Sequence, residues 1–464
     1  MPTPDNASPG PGQPPDGLPV PRRYWAIAAI VLAICMSVLD STITNVALPT
    51  IARDFGASAA ASIWVINAYQ LAILILLLPL ASLGEIVGYR RVSQTGLVVF
   101  TLASLACALA PSLLALSVAR VIQGLGAAGI MSVNAALVRF TYPQRHLGRA
   151  IGINAFVVAT SAALGPTIAS AVLAVAHWRW LFGINIPLGI IAITIASYAL
   201  PDSERTRRPL NYVGAVLYAG TFGLLLSGLQ SLAHDAATAL ALLQIGAAGL
   251  LGWVLLRHEL PRAMPLIPFD LLRSRQFSLS VATSVCSFMA QMTALVSLPF
   301  EIQRIGHSAV ETGLFMTPWP LAIAVVAPIA GRLADRYPAG VLGGLGLLGM
   351  SAGLTLLALF PASGTALGFV WRMALTGAGF GLFQAPNNRA LLSAAPRARS
   401  GAAGGMLSTA RLVGQSLGAA GVAILFRVHP QLGSNFALYG AALLAFAAAL
   451  VSMSRLTGND GVRA

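Results

Sequence analysis

Lysine is absent from the chain, and all 28 basic residues are arginine. Without lysine there is neither a Walker A phosphate loop nor a Schiff-base amine, which excludes an ATP-driven pump contained in this one chain. Charge of any kind is scarce, at 9% of 464 residues, where an average soluble domain carries about 25%. The three cysteines (Cys35, Cys107, Cys286) lie singly inside apolar runs and read as packing residues rather than disulfides or ligands. Six histidines (His146, His177, His234, His258, His307, His429) show no metal-ligand spacing, so no metal is expected.

What the chain has is apolar length. It is 57% hydrophobic with a mean hydropathy of +0.79, the composition of an integral membrane protein. Fourteen apolar runs of bilayer-spanning length are expected. Six lie near 24–48, 61–83, 93–110, 113–137, 151–175 and 179–200; two follow at 211–230 and 237–256. Six more lie near 277–300, 311–331, 340–360, 366–391, 402–426 and 434–454. The Pro- and Gly-rich start reads as a disordered tail over 1–23 and lacks the basic region and short apolar core of a cleaved signal peptide. An N-terminal bundle over 24–200, two additional helices with linkers over 201–276, a C-terminal bundle over 277–455 and a tail over 456–464 complete the expected layout.

The net charge of +14 is accounted for by position. Arginines such as Arg22, Arg23, Arg90, Arg91, Arg139, Arg257, Arg273 and Arg397 fall in alternate loops, while the opposite loops hold few, chiefly Arg53, Arg179, Arg304 and Arg427. This is the positive-inside pattern; it predicts cytoplasmic termini and makes nucleic acid an unneeded partner.

The outer sets of six runs look like copies of one unit. Glu85 matches Asp335 and Pro49 matches Pro299 at an offset of 250, and Arg120 matches Arg372 at 252. Parallel repeats of this kind place a substrate site between two bundles that rock against each other.

Asp40 is the only acidic residue deep within any run. A carboxylate near the centre of a membrane helix costs roughly 2.5–3.5 kcal/mol on the insertion scale. Arg120, inside the fourth run, is as unwelcome unpaired, and the economical arrangement turns it inward beside Asp40. An apolar surround favours the neutral carboxyl and a nearby guanidinium the charged one, so Arg120 is placed to decide whether Asp40 holds a proton. The residues alone leave a static buried ion pair equally open.

At this point the sequence resembles the major facilitator superfamily and, within it, the fourteen-helix drug:proton antiporters. The resemblance rests on GRLADR (331–336) with its partner ASLGEIVGYRR (81–91), LSVARVIQGLGAAG (116–129), ALGP (163–166), HWRWLFGINIPLG (177–189) and LDSTITNVALP (39–49). It implies an all-α integral membrane fold, two six-helix bundles plus two intervening helices. It also implies proton coupling through Asp40 and Arg120, and a gating latch of Leu83, Glu85, Gly88, Arg90, Arg91, Gly331, Arg332, Asp335 and Arg336. Gly165 and Pro166 correspond to the antiporter motif, where a missing helical hydrogen bond and close backbone approach make the fifth helix pliable. The first gating copy departs from the family pattern at Ala81, Glu85 and Ile86, and the antiporter motif at Ser161, Ala169 and Ser170.

Polar and aromatic side chains inside the runs supply the candidate substrate cavity: Trp64, Asn67, Tyr69, Asn134, Asn154, Phe288, Gln291, Met292, Trp319, Phe383, Gln384 and Asn387. Glu301 closes the ninth run as a second acid, set either to attract a cation or to snorkel to water. The Gly124-Leu-Gly126-Ala-Ala-Gly129 run fits a dinucleotide fingerprint and the Gly414–Gly418 stretch a nucleophile elbow, but no strand precedes either, and both read as packing faces. The expected function is therefore non-enzymatic: proton-coupled efflux of hydrophobic, cationic small molecules from a monomer in the cytoplasmic (inner) membrane, with no cofactor beyond the proton gradient. A facilitator, symporter or exporter of a specific metabolite or organic anion is the alternative, kept open by Arg372 and Arg411. A receptor or scaffold would need an interaction domain, and no long soluble segment supplies one.

Overall fold

The computed structural model describes residues 17–143, 147–202, 210–232, 238–262, 267, 269–334, 336–359, 366–395, 400–429 and 431–455. Among them there is no strand. Eighteen helices follow in order: α1 (Arg22–Asp54), α2 (Ala59–Ser62), α3 (Trp64–Val87), α4 (Tyr89–Ala108), α5 (Leu113–Thr141), α6 (Leu147–Val175), α7 (Trp180–Gly183), α8 (Asn185–Ala199) and α9 (Tyr212–Leu232). They continue as α10 (Thr238–Glu259), α11 (Phe269–Leu272), α12 (Arg275–Arg304), α13 (Ala309–Met316), α14 (Pro318–Leu333), α15 (Ala339–Leu359), α16 (Ala366–Ser393), α17 (Ser400–Val428) and α18 (Gly433–Met453).

Twelve spans among the described residues are long and apolar enough to cross a bilayer, with α2–α3, α7–α8 and α13–α14 each running on as one. The long helices α6 and α16, of 29 and 28 residues, complete the fourteen runs read from the sequence. Leucines and valines on α9 and α10, among them Val213, Val216, Leu242, Leu243 and Leu250, stand exposed. A large apolar surface of that kind is stable only against lipid.

Helices α1 and α3–α8 pack on one another, as do α12–α18, while α9 and α10 form a pair that leans on α3 and α17. The first bundle meets the second through α6 against α13 and α14, α3 against α17, and α1 against α12. The 250-residue offset reappears in the geometry. Pro49 and Pro299 both lie inside long helices, and the glycines after those helices, Gly56 and Gly306, both take a positive φ (60° and 104°). Ser58 and Ser308 then cap the next helix by accepting from the N–H three residues on. Each pair differs by the same offset because each bundle must turn its first helix into its second in the same way. Packing repeats too: Gly126 abuts Gly96 in α4, and Gly379 abuts Gly346 in α15.

Asp335 and the residues 1–16 and 456–464 of the expected tails lie outside the described residues. From Leu18 onward the N-terminal segment is fixed rather than free. Leu18 donates its N–H to the Thr141 carbonyl at the end of α5 and accepts from Arg23 Nε.

Candidate functional site

Asp40 lies near the middle of α1, and its side chain is fully enclosed. Three donors converge on it. Arg120, from α5, gives Nη1 to Oδ2; Gln123 Nε2, one helical turn further along α5, reaches Oδ1 at 2.9 Å; Asn185 Nδ2, at the start of α8, reaches the same oxygen at 2.9 Å. Spacing explains the first two, since residues three apart on a helix share a face. Asn185 arrives because α7 runs on into α8 through the helical Ile184 (φ −57°, ψ −32°), which sets position 185 inside the bundle, where it is buried.

The guanidinium is held as tightly as the carboxylate. Arg120 Nη1 also donates to Gln123 Oε1 at 2.7 Å and Nε to the Val65 carbonyl at 3.1 Å, while the group stacks 4.0 Å above the Tyr69 ring. Ser104 accepts from Gln123 Nε2 at 2.9 Å, the Cys107 thiol sits 3.5 Å from Gln123 Oε1, and the Tyr69 hydroxyl donates to the Ser37 carbonyl at 3.0 Å. A buried ion pair offsets its desolvation only when further hydrogen bonds satisfy both partners, and here both are satisfied. The carboxylate and the tyrosine have no counterpart at the matching positions of the second bundle. The position 250 residues after Asp40 is the buried Ala290, and the position after Tyr69 is Trp319.

Gln123, Asn185, Ser104 and Cys107 are members of this cluster that the sequence reading did not single out. Gln123 alone carried a signal, by its three-residue spacing from Arg120.

Gly165 and Pro166 lie where three helices crowd together. A Cβ at 165 would stand 2.0 Å from Thr42 Oγ1 of α1, and one at Gly313 would stand 2.6 Å from the Pro166 carbonyl. Polar bonds across the bundles cluster at this end: Thr167 with Thr317 at 2.9 Å, Ser170 Oγ donating to the Val310 carbonyl at 3.0 Å, and Arg53 Nη2 donating to Gln303 Oε1 at 3.0 Å. Arg53 and Gln303 are themselves 250 residues apart, so the pair straddles the axis relating the repeats.

At the opposite end, Arg90 bonds the Ser197 carbonyl and Asp202, the latter at 3.4 Å, keeping its contacts beside the first bundle. Leu83 packs into the first bundle, Glu85 is engaged, Gly88 turns the chain at φ 105°, and Arg91, Arg332 and Arg336 are exposed. Gly331 faces open space.

The proposed cavity residues divide. Trp64 lines a groove of about 380 Å³ formed by α2, α3, α5 and α9, and Asn67 donates to Gln230 Oε1 of α9 at 3.0 Å, so both turn toward the additional pair rather than toward the second bundle. Asn134 donates to Asn154 at 3.1 Å, tying α5 to α6. Phe288 and Phe383 flank Phe380 in an aromatic cluster, and Trp319 is buried in the same hydrophobic core. Asn387 donates to Ser284 Oγ at 2.8 Å and accepts from Arg455 at 2.8 Å inside the second bundle. Glu301 pairs with Arg304 at 2.6 Å and accepts from Ser434 Oγ at 2.5 Å. Met292 does cross between bundles, taking Gln70 Nε2 at 3.8 Å, while Gln291 and Gln384 are half-buried.

The sequence model of the Major Facilitator Superfamily matches residues 30–419. The chain belongs to that superfamily. It is 54% identical over 445 residues to the Uncharacterized transporter YebQ of Escherichia coli (strain K12), covering 95% of this chain and 97% of that one. It is 31% identical over 403 residues to the Multidrug resistance protein Stp of Mycobacterium tuberculosis (strain CDC 1551 / Oshkosh), covering 85% and 74%. Among solved structures, a POT family transporter in complex with a thioalcohol-conjugated peptide superposes with a TM-score of 0.71 at 14% identity, covering 93% of this chain and 96% of that one; this likeness speaks for the fold alone. The superfamily chain is thus a multi-pass membrane transporter of small molecules, not an enzyme.

Proposed function

We propose that the chain is a proton-coupled exporter of hydrophobic small molecules, drugs among them, working by alternating access. It acts as a monomer in the cytoplasmic membrane with both termini in the cytoplasm, and the proton gradient is its only energy source. The observation that carries this reading is the enclosed Asp40, whose carboxylate is held by Arg120, Gln123 and Asn185 on a helix that also reaches the cross-bundle bond of Arg53. Resemblance to a multidrug resistance protein supports efflux as the direction.

The chemistry follows from charge. With Asp40 ionised, the site is a neutral pair; with a proton on Asp40, Arg120 is left as an uncompensated buried cation. Its remaining partners are the acceptors Gln123 Oε1 and the Val65 carbonyl and the Tyr69 ring. Protonation therefore changes the preferred spacing of α1, α3 and α5. As α1 is nearly 50 Å long by its 33 residues, at about 1.5 Å each, a small tilt at Asp40 is felt at Arg53. Each proton carried inward gains about 2.3 kcal/mol per 100 mV of membrane potential.

Two experiments test the reading. In proteoliposomes with an acidic lumen and a trapped pH dye, transported compounds should release protons from the lumen on addition, and uptake should stop when an ionophore removes the gradient. Uptake unaffected by the gradient would refute coupling. For alternating access, Arg53→Cys and Gln303→Cys in a background lacking Cys35, Cys107 and Cys286, joined by a short cleavable cross-linker, should abolish transport until the linker is cut. Full transport by the linked protein would show that this end does not open.

A further inference from the structure

Arg411 lies in the membrane interior on α17 and has no hydrogen bond, ion pair or ring contact among the described residues; its Nε is fully sheltered. The neighbours of α17 show which way it faces. Gly414 and Gly418 press on Val285, Met289 and Met292 of α12, while Gly405 lies against Leu78 of α3 and Leu412 joins the core of the first bundle. At 100° per residue, Arg411 falls between the α12-facing side and the α3-facing side. That arc looks out of the second bundle toward the space between the two.

The same space has no free negative group to answer it among the described residues. Asp40 is saturated by Arg120, Gln123 and Asn185, and Glu301 by Arg304 and Ser434. What remains unpaired there is neutral. Gln70, which reaches across to Met292, leaves its Oε1 buried without a donor. Asn45 Oδ1 on α1 is likewise unpaired, on the arc between Ser37, which meets Tyr69 of α3, and Thr42, which meets Gly165 of α6. Met292 is level with Gly418, so Gln70 stands about 10 Å along the membrane normal from Arg411, at seven residues of helical rise. The set is one cation and, farther in, two hydrogen-bond acceptors.

Resting on the exporter reading above, we propose that Arg411 is the recognition cation of the central site. The transported molecule is then an organic anion, with its acidic group on Arg411 and hydrogen-bond donors toward Gln70 and Asn45. This replaces the cationic substrate expected from the family resemblance and the lone Asp40 carboxylate, and takes up the organic-anion alternative that Arg372 and Arg411 kept open. A monocation entering this space would meet the unpaired guanidinium of Arg411, and that of Arg120 as well whenever Asp40 is protonated. A free buried charge is costly in the empty protein and is retained where a ligand neutralises it.

The test uses three compounds of one size and three charges: 2-naphthoate, 2-naphthamide and trimethyl-2-naphthylammonium. The full chain is placed in phosphatidylcholine nanodiscs and its unfolding temperature is read at millimolar ligand. Naphthoate should raise the midpoint while the amide and the ammonium do not. Arg411→Met should raise the ligand-free midpoint by roughly 2–4 °C and weaken naphthoate binding at least about tenfold. Arg411→Lys should retain part of that binding.

A larger response to the ammonium, no response to naphthoate, or a lower ligand-free midpoint in Arg411→Met, as a structural arginine would give, overturns the proposal. If phosphatidylglycerol stabilises the protein through Arg411 and naphthoate does not, the residue anchors a lipid phosphate and the substrate assignment falls. The two readings fail separately. Naphthoate that binds through Arg411 but moves no protons in proteoliposomes removes coupling alone, whereas proton release driven by the ammonium removes only the anion assignment. Exchange of a monoanion for one proton also carries net charge, so an imposed potential should change its rate, while one-for-one exchange of a monocation should not respond.

Discussion

Arg120→Met should destabilise the protein by about 3–5 kcal/mol, measured as unfolding in detergent. The substitution keeps the volume over the Tyr69 ring but removes the countercharge from the enclosed Asp40, which must then take up a proton or stay charged on Gln123 and Asn185 alone, and either state costs stability. Asp40→Asn reverses the roles and strands Arg120 on acceptors alone. The double variant Asp40→Asn with Arg120→Met removes both charges and should recover most of the loss, because the penalty belongs to the unpaired charge rather than to the missing bond. Additive losses in the double variant would mean that the pair contributes through packing and that its charges are incidental.

Gly126→Val and Gly379→Val should each prevent recovery of a folded, monodisperse protein. A Cβ at 126 would lie 2.4 Å from the Phe100 nitrogen and 2.7 Å from the Gly96 carbonyl oxygen; one at 379 would lie 2.4 Å from the Met350 nitrogen and 2.5 Å from the Gly346 oxygen. These are backbone atoms of the neighbouring helix and cannot rotate away, so overpacking passes the usual 1–3 kcal/mol (roughly) of a core insertion. In lipid, where no hydrophobic force joins helices, such close approach is itself a main source of attraction. Gly246→Val, in α10, meets nothing within 4 Å and is the control, expected to give wild-type yield. Equal yields for all three variants would show that α4–α5 and α15–α16 do not depend on contact between their backbones.

Much of the fold was legible because charge in an apolar run is conspicuous. Asp40 and Arg120 could be matched by cost alone, and the fourteen runs by length. The offset of 250 was visible in Pro49 and Pro299 and extends to Gly56 and Gly306, Ser58 and Ser308, and Arg53 and Gln303, where the sequence gives ordinary turn and cap residues without saying that they repeat. Uncharged polar residues were harder to place. Gln123 and Asn185 complete the Asp40 cluster, while Asn67 and Trp64 turn to α9 and Asn387 to Arg455. Apolar on every side, α9 and α10 give no periodicity from which to read the face they offer to α3. Arg411 could be seen as an arginine in a membrane helix; that it lacks a partner emerges only from the packing around it.

The most direct test of coupling compares Asp40→Asn with wild type in two assays on the same proteoliposomes. One is uptake driven by a pH gradient, and the other is exchange of labelled for unlabelled substrate with no gradient. Asparagine keeps the shape and the acceptor but cannot take a proton, so driven uptake should fall at least about a hundredfold while exchange survives. Exchange that continues would show that the variant still folds and binds substrate. Driven uptake by Asp40→Asn at the wild-type level, at every pH, would contradict the account and reduce the Asp40–Arg120 pair to a structural one.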